Sequence, residues 1–132
     1  LCASGKAIIT LYPPVGKGDM NEQGLTVLAT AEDFDILITG DMKDNTERAL
    51  IEKYPLPDVE VLLVGHHGSK YSSHEDFLGA VRPEVGIISV GNNSYGHPTA
   101  EAIERLEAVG AVVRRTDEEG DITIYGGDED GR

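Results

Sequence analysis

The stretch VEVLLVGHHGS, residues 59 to 69, joins a short run rich in valine and leucine to two adjacent histidines flanked by glycines. A run of this length and composition is typical of a strand buried on both faces of a sheet. His66 and His67 therefore stand where the predicted strand leaves the core. The pattern favours one imidazole as a ligand and the other as a supporting or substrate group. The structural alternative is a hydrogen-bonded core histidine.

The same pattern occurs at two other places in the chain. Residues 36–39 form an apolar run that ends at Gly40 and Asp41, and residues 85–90 run into the segment GNNSYGHP, 91–98. Three predicted strands thus deliver polar side chains at their C-terminal ends. In open α/β sheets ligands bind along that edge, where loops carry function and strands supply rigidity.

The alternation of patterns predicts an α/β fold with a mixed sheet and flanking helices. Parallel crossovers are expected in the middle, with an antiparallel hairpin around residues 31–33 and a second one around residues 117–120. The predicted strands are 6–12, 25–30, 34–39, 59–64, 85–90, 111–115 and 121–125.

Three helices are predicted between these strands, each with its own end signals. The first spans 45–54 with Asp44 or Asn45 as N-cap. The second opens at the capping-box pattern 72–75 and stops before Pro83, and the third spans 99–109 with Pro98 as its first helical residue.

Composition bounds the class of the protein. The 132 residues fit a single domain, and 24 acidic against 11 basic residues give a net charge of -13, which disfavours a large contact with phosphate backbones. One cysteine excludes an internal disulfide framework. No apolar run reaches membrane-spanning length, and no signal peptide is recognised. The chain opens in mid-pattern without an initiator methionine, which predicts a fragment of a longer polypeptide.

Each candidate polar residue has an ordinary structural explanation beside the functional one. Asp41 is a candidate carboxylate ligand or a cap for the following helix, and His97 is a candidate proton donor or phosphate contact or a helix cap. Ser69, Ser72 and Ser73 fit caps better than nucleophiles, because no hydrolase signature surrounds them. Turn formation accounts for residues 92–94.

Taken in order, several segments resemble the C-terminal half of the metallo-β-lactamase-fold domain of ComEC-type DNA internalisation (competence) proteins. The resemblance runs from about residue 6 to 125 and rests on the combination of TGD, GHHGS and YGHP at these separations. The matching segments are 37–41, 56–57, 64–73, 88–98 and 115–117.

This resemblance implies half of an αββα sandwich over residues 1–125. The terminal residues 126–132 are expected to be a disordered tail. It implies a dinuclear zinc or manganese site in which Asp41 bridges both metals and His66 or His67, with His67 preferred, supplies the later histidine ligand. The same resemblance implies that His97 is catalytic. It further implies substrate contacts from Ser69, Asn93 and Tyr95.

One departure from the family pattern is large. The HxHxDH cluster that supplies most metal ligands has no counterpart, since the four histidines are 66, 67, 74 and 97. We therefore expect the chain alone to bind zinc or manganese weakly or not at all and to be inactive. The expected partners are the missing N-terminal half of the domain and DNA. The parent is expected in a bacterial cytoplasmic membrane, with this domain outside the cytoplasm and the fragment soluble.

Three function classes remain at this stage. The first is part of a metal-dependent phosphodiesterase or nuclease that acts during DNA uptake. The second is another hydrolase of the same fold, of the phosphorylcholine esterase or lactonase type. The third is a non-catalytic structural or DNA-guiding domain.

Overall fold

The computed structural model describes residues 6–15 and 24–126. Its centre is a six-stranded mixed sheet in which the strands lie in sequence order. The strands are β1 (Ala7–Tyr12), β2 (Thr26–Ala31), β3 (Phe34–Ile38), β4 (Val61–Leu63), β5 (Val85–Ile88) and β6 (Val112–Arg115). The α/β class is confirmed, and the single sheet with flanking helices is consistent with half of a sandwich.

The strand pairing changes once across the sheet, from antiparallel to parallel. Strands β1, β2 and β3 form an antiparallel meander, which confirms the hairpin predicted around residues 31–33. Strands β3, β4, β5 and β6 pair in parallel, each through a crossover connection. The C-terminal ends of these four strands consequently lie along one edge.

The helices are α1 (Asp44–Lys53), α2 (Glu75–Val81), α3 (Ala100–Ala108) and α4 (Thr116–Glu119). The hydrophobic core includes Leu37 and Leu62 of the sheet, Leu50 of α1, Phe77 of α2 and Leu106 of α3. Because side chains alternate along a strand, residues 37 and 62 share one sheet face, and α1, α2 and α3 bury that face.

The other face of the sheet is apolar and is only partly covered by the described residues, since Val61 at its centre is buried and Gly126 lies against Phe34. One row across it runs Ile9, Ala29, Ile36, Val61, Val85 and Val112 in strand register. Ile9 is 51% exposed, Leu11 58% and Val112 61%. An apolar surface of this extent on one side of a sheet is typical of a layer that packs against another layer.

The predicted last strand is wrong. Residues 121–126 adopt no strand, and the predicted turn is replaced by helix α4. Its first turn carries Asp117, Glu118 and Glu119, and carboxylates stabilise a helix N-terminus. Arg115 pairs with Asp117 at 2.7 Å and Arg114 with Glu119 at 2.7 Å, which holds the turn against β6.

The predicted helix starts also need correction. Helix α1 has Lys43 as N-cap without a side-chain hydrogen bond, so neither Asp44 nor Asn45 caps it. Helix α3 begins one residue after Thr99, whose hydroxyl accepts from the Ala102 N–H at 3.2 Å. Pro98 therefore precedes the cap instead of opening the helix.

Helix α2 is capped by His74, whose Nδ1 accepts from the Asp76 N–H at 3.3 Å, and not by the preceding serines. Ser73 has φ +58°, in the left-handed region, whereas an N-cap residue needs an extended backbone. Ser73 Oγ is buried without a hydrogen-bond partner in the described chain. Replacing Ser73 by alanine consequently removes no cap.

The predicted disordered tail at 126–132 lies outside the described residues except for residue 126. Within the described ranges, no helix has the length and apolar character needed to cross a membrane.

Candidate functional site

Three loops meet at the C-terminal edge of the parallel strands. They follow β3, β4 and β5 and carry Asp41, the two adjacent histidines and His97. The His66 N–H donates to the Gly40 carbonyl at 2.9 Å, which joins the first loop to the second. The Thr99 N–H donates to the Gly68 carbonyl at 2.9 Å, which joins the third to the second. The sequence-based expectation that these loops converge is confirmed.

The turn that carries the paired histidines has an unusual backbone. His66 has φ +52°, His67 φ +53° and Gly68 φ +79°, so three successive residues lie in the left-handed region. Such conformations cost about 1–3 kcal/mol for a non-glycine residue and are enriched at functional sites. The two histidines are therefore held in positions that a relaxed chain would avoid.

His67 lies on the exposed side of this turn. Its Nδ1 lies 2.6 Å from the Ser89 carbonyl oxygen. A carbonyl only accepts, so Nδ1 carries the proton and Nε2 presents its lone pair. Metal-ligating histidines commonly have this arrangement, with the other nitrogen donating to a backbone carbonyl. The geometry favours His67 over its neighbour as a ligand, and the assignment stays a prediction.

His66 lies deeper and contacts His97. Its Nδ1 is buried without a partner among the described residues. The ring centroids of His66 and His97 are 5.7 Å apart, with an interplanar angle of 67°. A buried imidazole nitrogen without a hydrogen bond is costly, so this atom is a candidate for a ligand or proton contact.

His97 has a different environment from the one expected for a helix cap. Thr99 caps α3, so the capping explanation for His97 is wrong. The ring stacks on Tyr95 at a centroid distance of 5.9 Å and an angle of 27°. Burial lowers the pKa of His97, and repulsion from His66 and His67 lowers that pKa further, which favours the neutral imidazole.

A cavity of about 340 Å³ opens beside these rings. A ligand that enters it meets His67 and His97, the exposed ring of Tyr95, and polar atoms of the loop that follows β5. The lining residues are His67, Ser89, Val90, Gly91, Asn92, Asn93, Tyr95, His97 and Thr116.

Asn93 is a structural brace of this loop. Its Oδ1 accepts from the Tyr95 N–H at 3.0 Å and the His97 N–H at 3.1 Å. Its Nδ2 donates to the Gly91 carbonyl at 3.0 Å and the His97 carbonyl at 2.8 Å. These four bonds use the hydrogen-bonding capacity of the amide, so Asn93 positions Tyr95 and His97.

Two further predicted site residues, Asp41 and Ser69, do not line the cavity. Asp41 is partly exposed in the turn after β3, does not cap α1, and makes no hydrogen bond or ion pair with the described residues. Ser69 is 2% exposed, and its Oγ accepts from the Tyr71 N–H at 3.2 Å. Ser69 does not line the cavity, whereas Asn93 and Tyr95 do.

A metal implied by the resemblance needs more donors than the described residues bring together. No group of three or more histidine, cysteine, aspartate or glutamate side chains within residues 6–15 and 24–126 is placed to hold an ion. Asp41 and one histidine suit zinc or manganese in chemistry but not in number. The described residues on their own do not fit a metal site.

Sequence reasoning missed four contributors to this region. Thr116 lines the cavity, and its Oγ1 accepts from the Val90 N–H at 2.8 Å. The Ser89 carbonyl orients His67. Glu47 and Arg105 bind the backbone of the loop that follows the histidine turn. Their helical positions gave no signal, because each reads as a residue of an amphipathic helix.

Glu47 is fully buried and carries a pH-dependent contribution to stability. Burial raises its pKa to about 7 from 4.5, against the lowering effect of the backbone N–H groups of His74 and Ser73. Asp44 raises this pKa and Arg105 lowers it. The folded protein therefore holds the proton more tightly than the unfolded chain, so the contribution is present below pH 4.5 and is lost as pH rises through about 7.

We expect the titration of this carboxyl group to lower the free energy of unfolding by about 3 kcal/mol as pH rises from 4.5 to about 7. Urea unfolding at a series of pH values, with Glu47→Gln as the reference variant, measures it. As pH rises, the free energy of unfolding of the wild type should fall relative to that of the variant. Parallel curves for the two proteins would show that Glu47 titrates normally.

Curated relatives of the chain are competence and recombination proteins. It is 39% identical over 87 residues to ComE operon protein 3 of Bacillus subtilis, a match of 65% of this chain and 11% of that protein. It is 39% identical over 101 residues to Competence protein ComA of Neisseria gonorrhoeae, covering 75% of this chain and 15% of the relative. It is 34% identical over 118 residues to Recombination protein 2 of Haemophilus influenzae, covering 89% and 15%.

No protein-family profile matches the chain. The chain spans only 11–15% of the length of the three relatives, so it corresponds to a small segment of each. The resemblance carried by TGD, GHHGS and YGHP is confirmed by these similarities. The chain is therefore homologous to a segment of ComEC-type competence proteins.

Proposed function

We propose that this chain forms one side of a metal-dependent phosphodiesterase site that cleaves DNA during uptake in natural competence. The observation that carries the proposal is the convergence of His66, His67 and His97 beside one cavity at the C-terminal edge of the parallel strands. The similarity to competence proteins supports the biological context.

The proposed metal ligands in this chain are Asp41 and His67. A bound zinc or manganese would supply Lewis acidity and activate water for attack on phosphorus. The chain's own contribution is to present one carboxylate and one imidazole from adjacent loops. The hydrogen bond from Nδ1 to the Ser89 carbonyl sets the tautomer of His67. The lone pair of Nε2 is then available to a metal ion.

His97 is proposed to meet the substrate. It lies on the cavity wall beside His66, and the Asn93 brace fixes its backbone. A neutral imidazole in this place offers one N–H donor and one lone pair to a phosphodiester or to its leaving oxygen. Tyr95 is 82% exposed at the mouth of the same cavity and is proposed to contact the substrate as well.

The proposed partners follow from what the fold leaves open. The missing N-terminal half of the domain is proposed to cover the apolar sheet face and to bring the remaining metal ligands. DNA is the proposed substrate, and its approach requires cations, because this chain carries a net charge of -13. The parent protein is proposed to be membrane-associated through other segments.

This chain alone is expected to bind zinc or manganese weakly, because two ligands do not hold a divalent ion tightly. Isothermal titration calorimetry, together with mass measurement to detect ligand-sharing dimers, checks this. Stoichiometric binding below about micromolar Kd by a monomer would mean that the chain contains a complete site.

The proposed function is tested in a longer protein that restores the missing half. We expect metal-dependent cleavage of DNA, with His97→Ala lowering turnover by about a hundredfold or more at unchanged metal content. Unfolding midpoints measured beside activity separate catalysis from stability. Ser94→Ala, at an exposed residue of the same loop that does not line the cavity, is the matched control for local disturbance.

Two outcomes would contradict the proposal. Hydrolysis of a phosphorylcholine ester or a lactone without DNA cleavage would favour another hydrolase of this fold. A well-folded, metal-free longer protein without any hydrolysis would favour a structural or DNA-guiding role.

A further inference from the structure

The loop that follows the histidine turn, Ser69–His74, is bound by a buried carboxyl group. Glu47 of α1 is 0% exposed. Its Oε2 accepts from the Ser73 N–H at 2.7 Å, and its Oε1 accepts from the His74 N–H at 3.0 Å. Carboxyl groups are rarely buried so completely unless they have hydrogen-bond partners. The two backbone N–H groups of the loop are those partners for Glu47.

The same loop is also bound by a guanidinium. Arg105 of α3 donates from Nε to the Ser73 carbonyl at 2.9 Å. Its Nη2 donates to the carbonyls of Lys70 and Ser72, each at 2.9 Å. Three backbone carbonyls thus share one guanidinium, whose rigid fork suits such multiple contacts.

Ser73 is held at both ends of its backbone. Its N–H binds the carboxyl of Glu47 and its carbonyl binds the guanidinium of Arg105. Ser73 also has φ +58°, a conformation that persists in a non-glycine residue only when its surroundings fix it. The Arg105 guanidinium makes a charge-assisted hydrogen bond, which is about twice as strong as one between neutral groups, and the Glu47 carboxyl holds the other end of the residue.

Glu47 and Arg105 are each connected to the candidate site through the helix that carries them. Helix α3 follows the His97 loop, and Thr99 at its start binds the Gly68 carbonyl through its N–H at 2.9 Å and its hydroxyl at 3.0 Å. Arg105 therefore makes a second attachment of the same helix to the same segment. Helix α1 follows the loop that carries Asp41. Glu47 attaches this helix to Ser73, near the end of the loop Ser69–His74.

We propose that Glu47 and Arg105 are positioning residues, which hold the three loops of the site in register by binding opposite ends of the Ser73 backbone. Neither side chain lines the cavity, so both act through the histidine turn. The inference rests on the proposed function for the role of the histidines, but its geometric content does not depend on activity.

Histidine side-chain NMR of the 132-residue chain tests the geometry. Glu47→Leu and Arg105→Met remove the polar contacts at similar volume. In ¹H–¹³C spectra, we expect the ring signals of His66 and His97, assigned from His→Gln variants, to move beyond their line widths. Arg82→Met is the control, since Arg82 is an exposed arginine that pairs with Asp58 away from the site.

Conservative variants keep the test decisive if the larger changes prevent folding. Glu47→Gln retains one acceptor and Arg105→Lys retains one donor group, so we expect smaller movements of the same two signals in the same direction. Variants that lose stability while both histidine signals stay in place would overturn the proposal, because a merely structural role predicts that result.

Activity of the longer protein gives an independent readout. We expect Arg105→Lys to lower kcat for DNA about tenfold or more with KM nearly unchanged, as misplaced catalytic groups do. Absence of cleavage by the wild type would contradict the proposed function and leave the NMR result to decide the positioning role. Full kcat in Arg105→Lys would contradict positioning.

Discussion

In the longer protein, Asp41→Asn is expected to lower metal-dependent DNA cleavage to below about one hundredth of the wild-type rate. An amide keeps the size of the side chain but loses the charge with which a carboxylate bridges cations. The bound metal is expected to fall together with the rate. Metal analysis and a cleavage assay on the same sample measure both.

Asp58→Asn is the matched control for this change, because Asp58 is an exposed carboxylate paired with Arg82 at the far end of α2. Its cleavage rate should equal that of the wild type. Full activity and full metal content in Asp41→Asn would remove Asp41 from the ligand set. The structure already excludes its role as a cap of α1, so Asp41 would then have neither a ligand role nor a capping role at this turn.

Gly68→Ala is expected to destabilise the chain by about 2–4 kcal/mol. Gly68 has φ +79°, and an added Cβ would lie 2.7 Å from the Pro98 Cβ. The backbone strain and the steric overlap add, because Pro98 belongs to the loop that Thr99 attaches to Gly68. Urea unfolding of the variant and the wild type measures the loss.

Gly79→Ala is the control for a glycine without such constraints. Gly79 lies exposed within α2, and nothing lies within 4 Å of an added Cβ. Alanine is the better helix former, so this variant should be more stable by up to about 1 kcal/mol. An unchanged midpoint for Gly68→Ala would show that the histidine turn does not pack against Pro98.

Strand prediction succeeded where the local pattern had one interpretation. The valine- and leucine-rich run at 59–64 contains β4, and the turn at 31–33 joins β2 and β3 as expected. Prediction failed at 121–125, where alternation of polar and apolar residues favoured a strand. The acidic run after β6 instead forms α4 and bonds to arginines of that strand, a tertiary contact that the local pattern does not contain.

Caps were predicted from residue type, and the tertiary structure reassigned them. The serines at 72–73 match a capping box, yet Ser73 is held in a left-handed conformation by side chains of two other helices. His74 takes the cap because it is the next residue with an extended backbone. Local preference was overridden by contacts across about thirty residues of sequence, which no short window includes.

By itself, the sequence determined the α/β class, the three strand ends and the histidines they carry, since these follow from short patterns of apolar residues and glycine. Only the tertiary structure decided that the Ser89 carbonyl orients the His67 ring and that His66 contacts His97. It also decided that Glu47 and Arg105 bind the same loop. These are contacts between residues far apart in the chain. Their geometry depends on how parallel strands and helices pack, which local patterns do not encode.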